Sequence, residues 1–410
     1  MSSEPTEITV LVLVDALRHD YLTEEDAPFL YELARGGLYG SLIPTFGFDP
    51  DAAHFAGLFP DEGESGAHYW FDPAHSPFGF TKFFPALLDT LPEWPQRVGH
   101  KLIQWMVQRT SKNMVLHNQA STALVPFRFL HYFDFSQKRL PFEAGFAPRQ
   151  TIFDLLEEAG KGWFFHANPL HRVNSAAVLA RVKDEVKPPC AFAYLLIGDL
   201  DHAGHDFGPA SAERKAVLRQ VDACLREIHR EVSKRFEVVN WILFGDHGMV
   251  EVKSITDVWG ALFGAKLKIG KDYVFFLDST MARFWFFNEV AKAQVTSALA
   301  SVKGGRLLTQ EDLDHYHLNF SHNRFGDLFF LADPGVLISP NFFQGKRMVK
   351  GMHGYAPEFP DHQAAVIINS PHVPPSGRLA APVDMRQLFP TVLKFLGLNL
   401  PATCRLESIV

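Results

Sequence analysis

The chain has 410 residues, 47% hydrophobic and 21% charged, with a formal net charge of −7. That is apolar material for one large core, or a core with a substantial cap, and too little charge for disorder. The acidic balance argues against binding a nucleic-acid polymer, and three scattered cysteines, Cys190, Cys224 and Cys404, give neither a disulfide framework nor a thiolate zinc site.

The first element is "ITVLVLVD" (8–15), an apolar run whose length suits a strand buried on both faces. No basic segment precedes it, and no run elsewhere reaches the roughly 18 apolar residues of a spanning helix. The expectation is a soluble, cytoplasmic enzyme without a membrane span. "APFLYELARGG" (27–37) reads as a helix ending in a glycine pair. The stretch "IPTFGFDPDAAHFAGLFP" (43–60) predicts a loop, a helix opened by Asp49-Pro50-Asp51 with Asp49 as part of its cap, and a Gly-Leu-Phe-Pro stop. It looks like the seat of a nucleophile at a helix N-terminus.

Residues 61–150 are rich in proline and aromatics and read as an insertion that caps the site. Their aromatics suit cap core first, with a pocket for an apolar group or contact with a membrane surface as alternatives. No amphipathic piece carries a basic face strong enough to put membrane binding first. A Thr-capped helix follows at 151–162. Then come the strand "CAFAYLLIGDLD" (190–201), a long amphipathic helix at 211–236 and the strand "VVNWILFGDHG" (238–248). Residues 251–345 read as a second insertion. The strand "AAVIINSP" (364–371) and a helix over 383–398 close the chain. Alternating strands and helices predict an α/β fold with a doubly wound sheet.

The chemistry gathers at the strand ends. Asp15 ends the first strand, Asp201 and His205 follow the second long run, Asp246 and His247 end the third, and His353 precedes the last strand. Ligands bind at the carboxyl edge of such sheets. Three carboxylates there would repel one another and rise in pKa, so cations are the simplest explanation of their meeting. Carboxylate oxygen and imidazole nitrogen suit zinc, with manganese or iron as alternatives. Two such ions roughly 4 Å apart make a clamp for phosphoryl transfer. Each piece is ordinary alone; the order Asp, Asp-x3-His, Asp-His-Gly, His-Gly beside strand signals is not.

With "VDALRHDYL", "PT..F" through "GLFP", "DLDHAGHDFGP", "FGDHGM", "HGY" and the closing "VDMRQLFPTVLKFLG", the sequence resembles the alkaline phosphatase superfamily. Within it, the similarity is to the nucleotide pyrophosphatase/phosphodiesterase branch. These anchors span nearly the whole chain, with the insertions unmatched. The resemblance implies the mixed α/β sheet of that fold and two divalent ions. One would be held by Asp201, His205 and His353, the other by Asp15, Asp246, His247 and the oxygen of a nucleophile. It implies hydrolysis of a small-molecule, lipid or glycan phosphoester through a Thr or Ser nucleophile.

One departure is plain. Counting back from "GLFP" places the family's nucleophilic Thr on Gly47. Three sources of an attacking oxygen are left: Thr45, the Asp49 carboxylate, or a hydroxide on the metal. Sulfate-ester hydrolysis or transfer of a phospho-group on the same scaffold, and a metal-binding protein without turnover, stand as alternatives, since a fold does not decide a function.

Overall fold

The computed structural model describes residues 6–110, 124–263, 267–375 and 377–410. In chain order the elements begin with β1 (Glu7–Val14), α1 (Pro28–Arg35), β2 (Leu38–Ile43), α2 (Asp51–Ala56), α3 (Pro60–Gly63) and β3 (Tyr69–Phe71). Next are α4 (Glu93–Thr110), β4 (Phe133–Phe135), α5 (Ile152–Glu158), β5 (Gly162–His166), α6 (Ser175–Glu185), β6 (Cys190–Ile197), α7 (Asp199–Phe207), α8 (Ala212–Ser233) and β7 (Val238–Phe244). The remainder comprises β8 (Val250–Glu251), β9 (Ser254–Thr256), α9 (Val258–Leu262), β10 (Tyr273–Leu277), β11 (Met281–Phe286), α10 (Glu289–Ala300), β12 (Gly305–Leu307), α11 (Gln310–His315) and β13 (Leu328–Ala332). It ends with β14 (Val336–Ile338), β15 (Gly351–Met352), β16 (Ala364–Asn369), β17 (Gly377–Arg378), β18 (Val383–Asp384) and α12 (Leu388–Leu396).

The main sheet has eight strands in the order β17-β2-β16-β7-β1-β6-β5, with β18 also on β2. β1 lies between β6 and β7, parallel to both. Its side chains alternate between two cores, as a two-residue period demands. Ile8, Val10, Val12 and Val14 pack on one face with residues of α1, α6 and α8. Leu11 and Leu13 pack on the other with residues of α2, α5 and α12. β1 is buried from Ile8 to Val14 because both faces are covered.

Helix ends follow local chemistry. Thr151 and Asp154 form a capping box at α5, and Ser211 accepts from the Arg214 amide at α8. Residues of segments 61–150 and 251–345 meet in a separate core. Tyr69, Phe127, Phe133 and Phe135 pack with Phe276, Trp285 and Phe342. The small sheet β10-β11-β13-β12 lies in this region. There the Arg283 guanidinium, fully buried, donates to Asp278 Oδ2 at 2.9 Å and to the Tyr69 carbonyl at 2.7 Å. That contact ties segment 61–150 to segment 251–345.

Candidate metal centre

Topology explains why residues far apart in sequence meet. β1, β6 and β7 are parallel, so the residues after them share one edge. β16 runs antiparallel to β7, with Val366 opposite Phe244. The segment before β16, which carries His353, therefore returns to that same edge.

Each side chain is held by its backbone. The Asp15 amide donates to the Ile197 carbonyl at 2.9 Å, extending the β1–β6 ladder by one step. Ala16 has a left-handed φ of 61° and aims its amide at Asp246 Oδ1, 3.2 Å away. Asp201 and His205 stand four residues apart on α7 and share a face, with His205 Nε2 3.2 Å from Asp201 Oδ1. In the Asp-His-Gly turn, a Cβ on Gly248 would stand 2.2 Å from the Asp361 carbonyl oxygen. Glycine lets that turn lie against the 361–363 segment.

The tautomers follow from the partners. His205 Nδ1 faces the Gly351 carbonyl and His247 Nδ1 the Gly248 carbonyl, both at 2.8 Å. A carbonyl cannot donate, so Nδ1 carries the proton and each Nε2 is free as a ligand. His247 Nε2 lies 3.4 Å from Asp15 Oδ1 and 3.5 Å from Asp246 Oδ2. His353 Nε2 lies 3.9 Å from Asp201 Oδ1.

Two groups can each gather around one ion: Asp201, His205 and His353, and Asp15, Asp201 and His247. The first is the set expected from the resemblance. The second differs from it: Asp201 serves both groups, and Asp246 stands beside the second, its Oδ1 taken by the amides of Ala16 and His247. The residues fit divalent cations. Asp15 Oδ1 and Asp201 Oδ1 are buried without a hydrogen-bond partner, a costly state that a cation relieves.

The electrostatics point the same way. Burial, then the charges of Asp246 and Asp201, push Asp15 well above the usual carboxylate range. Burial also works against the Asp201 anion, but His205, His353 and His247 outweigh it and hold that carboxyl low. His205, despite burial, is lifted to about 9 by Asp201. Burial and then His247 push His353 well down. This cluster calls for positive charge, and protons provide it where no metal does.

The loop before α2 is built differently from expectation. Gly47 has a φ of 111°, and a Cβ there would stand 2.1 Å from the Gly66 carbonyl oxygen. That oxygen also accepts the Phe48 amide at 3.0 Å. A side chain at Gly47 would collide with the Gly66 backbone, so the loop as folded has no room for a hydroxyl-bearing residue there. Thr45 is half-buried in this loop and belongs to neither metal group. The expected cap is corrected as well: Pro50 holds the cap position and α2 has no side-chain cap bond, with Asp51 in its first turn. Asp49 is buried, and burial followed by Asp51 raises it to about 8.

Three neighbours escaped the sequence reading. Asp51, raised to about 6 by burial and also by Asp246, lies beside the centre and accepts from Gln137. His362 Nε2 accepts the Gly354 amide at 2.8 Å and so holds the turn after His353; burial keeps it neutral, with a pKa near 3. Phe48 sets its ring edge against His353 at 5.7 Å. His362 follows the His353-Gly354-Tyr355 turn in sequence, but only the fold shows which amide it accepts. His202 is exposed on α7, outside both groups. Beside the centre opens a cavity of about 670 Å³, lined by Phe48, His68, Arg97, His205, Phe343 and His353 among others.

A sequence model of the family described as "Type I phosphodiesterase / nucleotide pyrophosphatase" matches residues 9–356. Among solved structures, human ectonucleotide pyrophosphatase/phosphodiesterase 5 superposes with a TM-score of 0.67 at 16% identity, covering 96% of each chain. The murine protein gives 0.68 at 17% identity, again over 96% of each chain. An inactive variant of the murine protein in complex with AMP gives the same values. At that identity the structural likeness shows the fold.

Proposed function

Because this chain belongs to the type I phosphodiesterase/nucleotide pyrophosphatase family, we propose that it hydrolyses phosphate diesters or pyrophosphate bonds at the Asp/His centre. The observation that carries this reading is Asp201, whose carboxylate joins both candidate metal groups. Asp201, His205 and His353 would hold one divalent ion. Asp15, His247 and Asp201 would hold a second, with Asp246 beside them. Zinc suits these donors, and manganese or iron would also serve. Bound there, such ions supply positive charge that polarises the phosphoryl group and stabilises the leaving oxygen.

The protein's own side chains set the rest. The Nδ1 protons of His205 and His247 fix both rings in orientation. Phe48, packed on His353, covers that side of the centre. The adjacent cavity is large enough for one arm of the ester, a small-molecule, lipid or glycan alcohol. Gly47 offers no oxygen to phosphorus. In this reading the attacking oxygen comes from water, and Thr45 is the position to test against it.

A second reading, metal binding without turnover, draws on the same blocked Gly47. The metal-loaded protein should be tested on p-nitrophenyl phosphodiesters, phosphomonoesters and sulfates. Diester turnover lost in Asp201→Ala supports the proposal. Turnover of sulfates alone, or of none while two ions are bound, overturns it.

A further inference from the structure

Helix α4 has two apolar faces. His100, Ile103 and Val107 are buried. On the opposite side Trp94 is 75% exposed, Leu102 59% and Trp105 51%, with Val98 exposed between them. Their spacing of four, four and three places them in one outward stripe. Phe83 and Leu87, just before the helix, are exposed too.

The charge around this stripe opposes that of the whole chain. Between Lys82 and Arg109 there are four cations and two acids, in a chain of net charge −7. Both acids are engaged: Asp89 accepts from the Phe127 amide and pairs with Arg128, and Glu93 pairs with Arg97. Among the described residues Lys82, Lys101 and Arg109 make no ion pair. Lys82 Nζ sits 5.3 Å from the Phe83 ring centre, and the Arg109 guanidinium 4.1 Å from that of Trp105. The cations thus border the apolar stripe itself.

Trp, Phe and Leu flanked by unpaired cations match a lipid interface: the rings enter the acyl boundary while the cations meet anionic headgroups. We propose that this face of α4 docks on the surface of an anionic lipid bilayer. The attachment is peripheral, since no helix among the described residues is long and apolar enough to cross a membrane. The same helix turns Glu93 and Arg97 into the cavity beside His205 and His353, so the docked face adjoins that cavity. The proposal concerns binding alone and stands or falls apart from the hydrolase reading.

The test is sedimentation of the intact protein with phosphatidylcholine vesicles, with and without phosphatidylserine. The expected result is binding at least about tenfold stronger with phosphatidylserine, weakened by salt. Trp94→Ser/Trp105→Ser and Lys101→Glu/Arg109→Glu should each weaken it by about tenfold, with circular dichroism unchanged. All four residues are exposed, so neither variant disturbs a core. A protein left in the supernatant with both vesicles, or either variant binding as the parent does, overturns the proposal. So does a dimer that the Trp variant dissociates while no vesicle is bound, which would assign the face to a second copy.

Discussion

The imidazole rings of His247 and His353 stack 3.6 Å apart with their planes 5° from parallel. One ring belongs to each candidate metal group, and Asp201 belongs to both. The two positions are therefore one structure. Asp201→Ala is expected to remove both ions, whereas His205→Ala, which reaches only one group, should leave about one. Metal analysis after reconstitution and desalting gives the count; a full complement in Asp201→Ala would refute the shared-ligand arrangement.

Crowded, unpartnered carboxylates make stability depend on metal. A ligand that binds only the folded state adds about 2.7 kcal/mol at a hundredfold excess over its dissociation constant. Thermal unfolding should shift down with a chelator and recover with zinc in a concentration-dependent way. Asp201→Ala should be insensitive to both. An unfolding midpoint in the parent that ignores chelator and zinc alike would contradict a cation at this site.

The Asp278–Arg283 pair is buried with both partners almost fully excluded from water. Removing one partner strands the other's charge, at a cost of about 3–5 kcal/mol. Asp278→Ala should lose that much in urea unfolding. Arg283 also holds the Tyr69 carbonyl, so the loss should appear in both the 61–150 and the 251–345 segments. A cost under about 1 kcal/mol would show that the guanidinium finds other support.

The sheet and the meeting of the candidate ligand residues were legible because their signals are local: a continuous apolar run, then an acid or an Asp-His-Gly turn. Parallel strands deliver such residues to one edge, so order along the chain stands in for position in space. What was not legible depends on contacts distant in sequence. Asp201 serves both groups because α7 directs it between His205 and Asp15. Asp246 Oδ1 is taken by the amide of Ala16, whose left-handed backbone no pattern announces, while Oδ2 stays 3.5 Å from His247 Nε2. The Gly47 loop is shaped by the Gly66 carbonyl, beyond the reach of a motif comparison.

His100 gives a prediction about acid. It is buried against the Phe127 ring, and burial lowers its pKa to about 4, with the Val125 backbone opposing and Arg97 adding to the fall. The unfolded imidazole titrates near 6.5. Between those values the unfolded chain binds a proton that the folded chain refuses, so this contribution to stability falls as pH drops from about 6.5 to 4. From pH 7 to pH 5 the parent should lose about 2 kcal/mol more than His100→Gln. Equal losses in urea titrations at the two pH values would show that His100 takes up its proton without unfolding.

The source of the attacking oxygen can be separated by substitution. Restoring a hydroxyl by Gly47→Thr places a Cβ where the Gly66 carbonyl oxygen lies, at a φ of 111°. Backbone strain of this kind costs about 1–3 kcal/mol before the clash is counted. The variant should be less stable and should form no phospho-enzyme. Thr45 is the one hydroxyl residue between Ser41 and Ser65, and Thr45→Ala separates it from water. Water attack predicts diester turnover within about tenfold of the parent, a change in barrier of about 1.4 kcal/mol. Turnover abolished with both ions still bound would instead make the Thr45 hydroxyl the nucleophile, and a phosphorylated Thr45 trapped from the parent at low pH would identify it directly.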